Sequence, residues 1–315
     1  MKEAGAAVDA PPGKNGFSLI SGDKLVQLYS TMLKCRMLEE RIGLLCKQGK
    51  LQACGAAWAG QEAAVAGIVL DLSPEDTLCL FRSSLAASFI KGIPLDKIFR
   101  QLFAGAASPD GDSPAPGPTL RAALDLSIQV AKANKKAKSS RIAVIFCGAA
   151  PAVQESWQAA LELAGSQDLP MIFVCQSSEQ AESANPKART KAKGAAAKAR
   201  ENGIPHIPVD GSDVVAVYRV ASEAIARARK GFGPTMIDCR AYALNGDRAI
   251  GPAQEHLPED EEWQTASDPI LKMERYLTGK GLFGEDLRTE AGIQFNKDLD
   301  AAIALAEKPQ GPQGK

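Results

Sequence analysis

Between residues 141 and 241 short apolar runs alternate with stretches of helical periodicity, and this alternation constrains the fold more than any other feature. RIAVIFC (141–147), MIFVC (171–175), HIPV (206–209) and TMIDC (235–239) read as buried strands. Residues 154–165, 187–202 and 214–230 carry apolar or small side chains at helical spacing between them. Buried strands separated by crossover helices predict an α/β fold, a doubly wound parallel sheet flanked by helices. In such a sheet ligands bind beyond the carboxyl ends of the strands. Those ends are Phe81-Arg82, Gly148-Ala149-Ala150, Gln176-Ser177-Ser178 and residues 242–247.

Upstream, Leu25, Leu28, Tyr29, Met32 and Cys35 form one stripe of a long N-terminal helix over 21–50, with Ser21 as N-cap and Gly49 at its end. A second helix is expected over 61–72, a short strand over 76–81 and a helix over 83–91. Helices near 269–278 and 285–307 follow the sheet. GAASPDGDSPAPGP (105–118) has no periodicity and reads as a flexible loop. The expected organisation is a disordered tail over 1–18, a single domain over 19–307 and a second tail over 308–315.

Lys+Arg and Asp+Glu both number 37, which argues against nucleic acid or an anionic membrane as the main partner. No apolar run approaches the roughly 18 residues that span a bilayer, and MKEAGAAVDAPPGKNGFS is neither a signal nor a transit peptide. The Lys-rich stretch 187–200 has alanines at helical spacing and no interleaved aromatics, so it reads as a solvated helix face. The 7 cysteines contain no C-x-x-C pair and fall mostly in apolar segments, an odd and unclustered set that fits a reducing compartment and a cytoplasmic protein.

Several longer segments occur in a telling order: LVQLYSTMLKCRMLEERIGLLCKQGKL from Leu25, GQEAAVAG from Gly60, KGIPLDKIFRQLF from Lys91, and GIPHIPVDGSDVVAVYRVASEAIARARKGFGPTMID from Gly203. With them the chain resembles the alpha subunit of the thiamine-diphosphate-dependent 2-oxo acid dehydrogenase E1 components, of the pyruvate, branched-chain or acetoin dehydrogenase type. The resemblance implies the thiamine-diphosphate-binding fold, thiamine diphosphate with Mg²⁺ as cofactors, and an E1 beta subunit as partner.

The departures from that pattern bear on function. The family's Gly-Asp-Gly strand end, which helps hold the Mg²⁺, falls on Gly148-Ala149-Ala150, and its paired Asn positions fall on Ser177 and Ser178. Mg²⁺ requires hard oxygen ligands, usually with a carboxylate, and Ala149 offers no side-chain oxygen. Losing two charge-assisted ligands of about 1.5–3 kcal/mol each weakens binding by roughly a hundred- to ten-thousand-fold. The family's histidines fall on Ala56, on the run Phe81-Arg82-Ser83-Ser84, in the loop 105–118 and on Asn245-Gly246-Asp247-Arg248. His206 and His256 align with none of them: His206 reads as a satisfied structural residue in a strand, His256 as solvated. Arg82 and Gly148 remain as cofactor-facing positions, with Ala149, Ser177 and Ser178 as vestiges of the site. Glu155 and Glu179 are the carboxylates placed to rebuild a metal site. The relatives' phosphorylation loop is missing from 245–261, so that control is not expected.

The resemblance with these departures implies an E1 alpha-like protein that has lost Mg²⁺ and thiamine diphosphate and acts as a non-catalytic assembly or regulatory subunit, partnering an E1 beta subunit or an active E1 alpha homologue. The alternative is an active alpha subunit that oxidatively decarboxylates a 2-oxo acid with a remodelled site. A third reading places a neutral ligand in the old crevice.

Overall fold

The computed structural model describes residues 20–51, 60–80, 85–104, 119–148, 152, 154–178, 186–241 and 266–307, the side chains of 178, 186–193 and 285 excepted. Both expected tails, the loop 105–118, Ala56, Phe81, Arg82, Ser83, Ser84, Ala149, Glu179, residues 245–248 and His256 lie outside the described residues.

Helix α1 spans Gly22–Lys47, with nine buried side chains from Leu25 to Leu45 along one stripe. Ser21 caps it, its hydroxyl accepting from Lys24 N at 3.2 Å, and Gly49 turns the chain out with φ +69°. Helix α2 (Glu62–Val69) is buried along its whole length. It meets the helix Val214–Arg229, numbered α8 below, so closely that a Cβ on Gly67 would lie 2.8 Å from Val217 Cγ1.

Five strands follow, β1 (Thr77–Leu80), β2 (Ala143–Gly148), β3 (Met171–Ser178), β4 (His206–Asp210) and β5 (Thr235–Ala241). They form one all-parallel sheet in the order β1-β2-β3-β5-β4. The connecting helices are α3 (Ala86–Ile90), α4 (Leu95–Phe103), α5 (Leu120–Lys136), α6 (Glu155–Ser166), α7 (Pro186–Glu201) and α8. Helices α9 (Pro269–Gly279) and α10 (Glu285–Ala306) close the described chain.

The sheet is covered on both faces. Cys147, Phe173, Cys175 and Met236 pack with Leu124 of α5, Trp157 of α6 and Ala199 of α7. Val144, Phe146, Val174 and Ile237 pack on the other face with Val65 of α2 and Val217 of α8. From β1 to β3 the chain moves one way across the sheet, whereas β4 to β5 moves back. Right-handed crossovers then require the last helix to lie on the opposite face, where α8 is found. The doubly wound reading therefore holds.

Several expectations change in detail. β1 begins at Thr77, not at 76, because the Asp76 carboxylate turns back to accept from Ser73 N at 2.7 Å, Ile142 N at 3.0 Å and Arg229 at 2.6 Å. The strands β3 and β5 run on to Ser178 and Ala241, so Ser177 and Ser178 are paired strand residues with Arg240 and Ala241 opposite them. Helices α4 and α5 were not anticipated. The buried stripe of α5 includes Ala123, Ser127, Ala131 and Asn134, which weakens its apolar contrast. Over the part of α7 whose side chains are described, Ala195, Ala196 and Ala199 are buried while Arg200 is exposed.

Five free cysteines, Cys35, Cys79, Cys147, Cys175 and Cys239, are buried as small hydrophobes. Cys46 is disulfide-bonded, which departs from a fully reduced set. Among the described residues no helix is long and apolar enough to cross a membrane.

Candidate functional site

The carboxyl ends of the described strands bring Gly148, Gln176, Ser177 and Ser178 together across the β2–β3 pair, with Gly148 in register with Gln176. The tight, unbranched pairing at Gly148 leaves backbone and no side chain at the β2 tip. Gln176 is buried at 6% exposure, yet among the described residues neither its Oε1 nor its Nε2 has a hydrogen-bond partner. An orphaned buried amide costs about 1–3 kcal/mol, so this position favours any group that can pair with it. Residue order places Gln176 at a ligand-facing strand end but gives it no role; a polar residue ending an apolar strand was the available signal.

Ser177 is committed elsewhere. Its hydroxyl donates to Asp238 Oδ1 at 3.2 Å, on the face covered by α5, α6 and α7. Asp238 is buried, and Arg240 Nε donates to its Oδ2 at 3.1 Å. His206 Nε2 lies 3.7 Å from the same oxygen, beyond hydrogen-bond reach, and has no hydrogen-bond partner among the described residues. The imidazole is buried as expected for a structural histidine, but it is not satisfied. Burial works to raise the Asp238 carboxyl, and His206 and Arg240 outweigh it, holding the group below its ordinary value. Serine, aspartate and histidine here do not form a nucleophilic triad, because the serine donates to the aspartate and not to the histidine.

A second charged cluster joins three helices. Arg36 of α1 forks onto Glu62 at the start of α2, with Nη2 to Oε2 at 3.1 Å, and onto Asp268, the N-cap of α9, with Nη1 to Oδ2 at 3.1 Å. Glu62 Oε2 also accepts from Gly60 N at 3.0 Å. Burial pushes the Glu62 carboxyl up while Arg36 opposes it. This network anchors the start of the GQEAAVAG segment, and the sequence signal was a Gln-Glu pair opening an otherwise apolar helix.

The described positions do not fit a Mg²⁺ ion. Gly148 has no side chain, the Ser177 side chain is buried toward Asp238 on the helix-covered face, and Glu155 is exposed on the first turn of α6. At the β4 tip Asp210 Oδ1 accepts from Ser212 Oγ at 2.6 Å, and its Oδ2 from Lys272 at 3.0 Å. Its carboxyl feels burial pushing it up, and the Ser212 and Lys272 contacts bring it below the ordinary value. Among the described residues no group of three or more His, Cys, Asp or Glu side chains is arranged to hold a metal.

The parallel sheet, covered by helices on both faces, defines a doubly wound α/β protein. A model of the dehydrogenase E1 component family matches residues 29–314. The chain is 31% identical over 298 residues to the pyruvate dehydrogenase E1 component subunit alpha of Staphylococcus aureus strain COL, covering 92% of this chain and 80% of that one. The same subunit of Staphylococcus epidermidis matches with the same identity and coverage. The chain belongs to the dehydrogenase E1 component family and is an E1 alpha-like protein.

Proposed function

We propose that this E1 alpha-like chain has lost the binding of Mg²⁺ and thiamine diphosphate and acts as a non-catalytic assembly or regulatory subunit. One observation carries the reading: where the family pattern places the metal-binding aspartate, the chain has Ala149, directly after a β2 tip that ends in Gly148 without a side chain. The position of Ser177 supports it, since the residue is 2% exposed and its side chain is turned toward Asp238 on the helix-covered face of the sheet. The retained scaffold, with α1, α2 and α9 locked by Arg36, favours a chain kept for folding and association. Its partner is an E1 beta subunit or an active E1 alpha homologue, its place the cytoplasm, and residues 19–307 act as one domain. Arg82 and Gly148 are the remaining cofactor-facing positions in this reading, with Ala149, Ser177 and Ser178 as vestiges.

A second reading rests on Gln176. Its unpartnered amide at the β3 end suits a bound group, and favours an active alpha subunit that oxidatively decarboxylates a 2-oxo acid with a remodelled site. Thiamine diphosphate supplies the carbanion chemistry in such enzymes when bound.

Native mass spectrometry of the full chain, purified gently from its own host, separates the two. A heteromeric assembly without thiamine diphosphate is the expected result. An assembly that carries the cofactor with Mg²⁺ and decarboxylates pyruvate or a branched-chain 2-oxo acid overturns it, and directs attention to Glu155 and Glu179 as substitute ligands.

A further inference from the structure

At the β4 edge of the sheet, α7 leaves a notch of about 430 Å³ lined by Ala196, Arg200, His206, Pro208 and Arg240. Ala196 and Arg200 are one helical turn apart on α7, so they share a face. Ala196 and Pro208 supply small apolar walls, and every charged side chain of the lining is basic or can become so.

Three carboxylates near these cations among the described residues are already engaged. Glu201, next to Arg200, pairs with Lys198 at 2.8 Å, and Asp210 at the β4 tip pairs with Lys272 at 3.0 Å. Asp238 lies beneath at 3% exposure and takes both its Arg240 contacts on one oxygen, Oδ2. The Arg240 side chain is 44% exposed, and a guanidinium carries five donors. Arg200 is exposed, with no hydrogen bond or ion pair among the described residues. A concave surface with uncompensated guanidinium groups concentrates anions, and the planar guanidinium fork matches carboxylate and phosphate geometry.

We propose that this notch is a binding site for a small anionic molecule, its carboxylate or phosphate group held by Arg200 and Arg240 beside the His206 imidazole. Asp238 acts as a positioning residue that holds Arg240 from below.

Calorimetric titration of the full chain with inorganic phosphate, and separately with succinate, at low ionic strength tests the site. Saturable binding of one molecule per chain is expected: of phosphate if the natural ligand is phosphorylated, of succinate if it is a carboxylate. Arg200→Gln, an exposed change without consequence for packing, weakens that binding by about tenfold or more. Lys132→Gln, an exposed lysine of α5 outside the notch lining, leaves it unchanged. Absence of saturable binding to both probes, or equal weakening by the two variants, overturns the proposal, the latter by showing diffuse surface charge.

Discussion

At the residue scale, the chain concentrates its polar exceptions at a few buried positions. Asp238 is the sharpest of them, a carboxylate at 3% exposure in the middle of a strand. Burial alone would raise its proton affinity, but His206 and Arg240 bring it below that of an ordinary carboxyl. The folded chain therefore binds this proton less readily than the unfolded chain. The resulting stabilisation is fully present above the ordinary carboxylate range, near pH 4, and is lost as pH falls through the folded value. Thermal unfolding followed from about pH 7 down to pH 3 is expected to show a steeper fall in Tm for the native chain than for Asp238→Asn. Parallel curves would mean that Asp238 contributes nothing to acid stability. The comparison also separates Asp238 from Glu62, whose raised carboxyl acts in the opposite sense and is present in both proteins.

At the element scale, the helices around the site are joined more by charge than by propensity. α1, α2 and α9 meet at Arg36, whose two carboxylate partners belong to the other two helices. Removing the cation leaves Glu62, at 3% exposure, without its counter-ion. Arg36→Met is expected to cost on the order of 3–5 kcal/mol, read as a shift in the urea midpoint. The methionine keeps most of the arginine stem's packing, so a loss below about 1 kcal/mol would show that packing, and not the ion pairs, holds the three helices. The Asp76–Arg229 pair does the same work at the other end of the sheet, tying the end of α8 to the starts of β1 and β2.

At the scale of the whole molecule, equal numbers of acidic and basic residues give a net charge of +0 at pH 7 and an isoelectric point near 6.8. Self-repulsion is then at its weakest near neutral pH. Light scattering of the purified chain is expected to show maximal self-association around that pH, relieved on moving about two units either way. Association independent of pH would point to apolar contact instead, with exposed Leu44, Ile293 and Leu305 as the places to look.

The local grammar of the chain was enough to reach the sheet, its parallel sense and most of its helices. Continuous apolar strands and crossover lengths admit few other packings, and the Ser21 cap and the Gly49 turn are local chemistry. The α5 helix escaped because its buried face includes small and polar residues, Ala123, Ser127, Ala131 and Asn134, whose burial only neighbouring elements impose; α4, which buries Ile98, Phe99 and Leu102, carried a readable apolar face that was passed over. The absence of a carboxylate at Ala149 could be read from residue order alone. That Ser177 faces Asp238, that Gln176 is buried without a partner, and that Arg200 and Arg240 share a notch could not. Each depends on strand register and on which helix covers which face, and those are settled by packing between segments far apart in the chain.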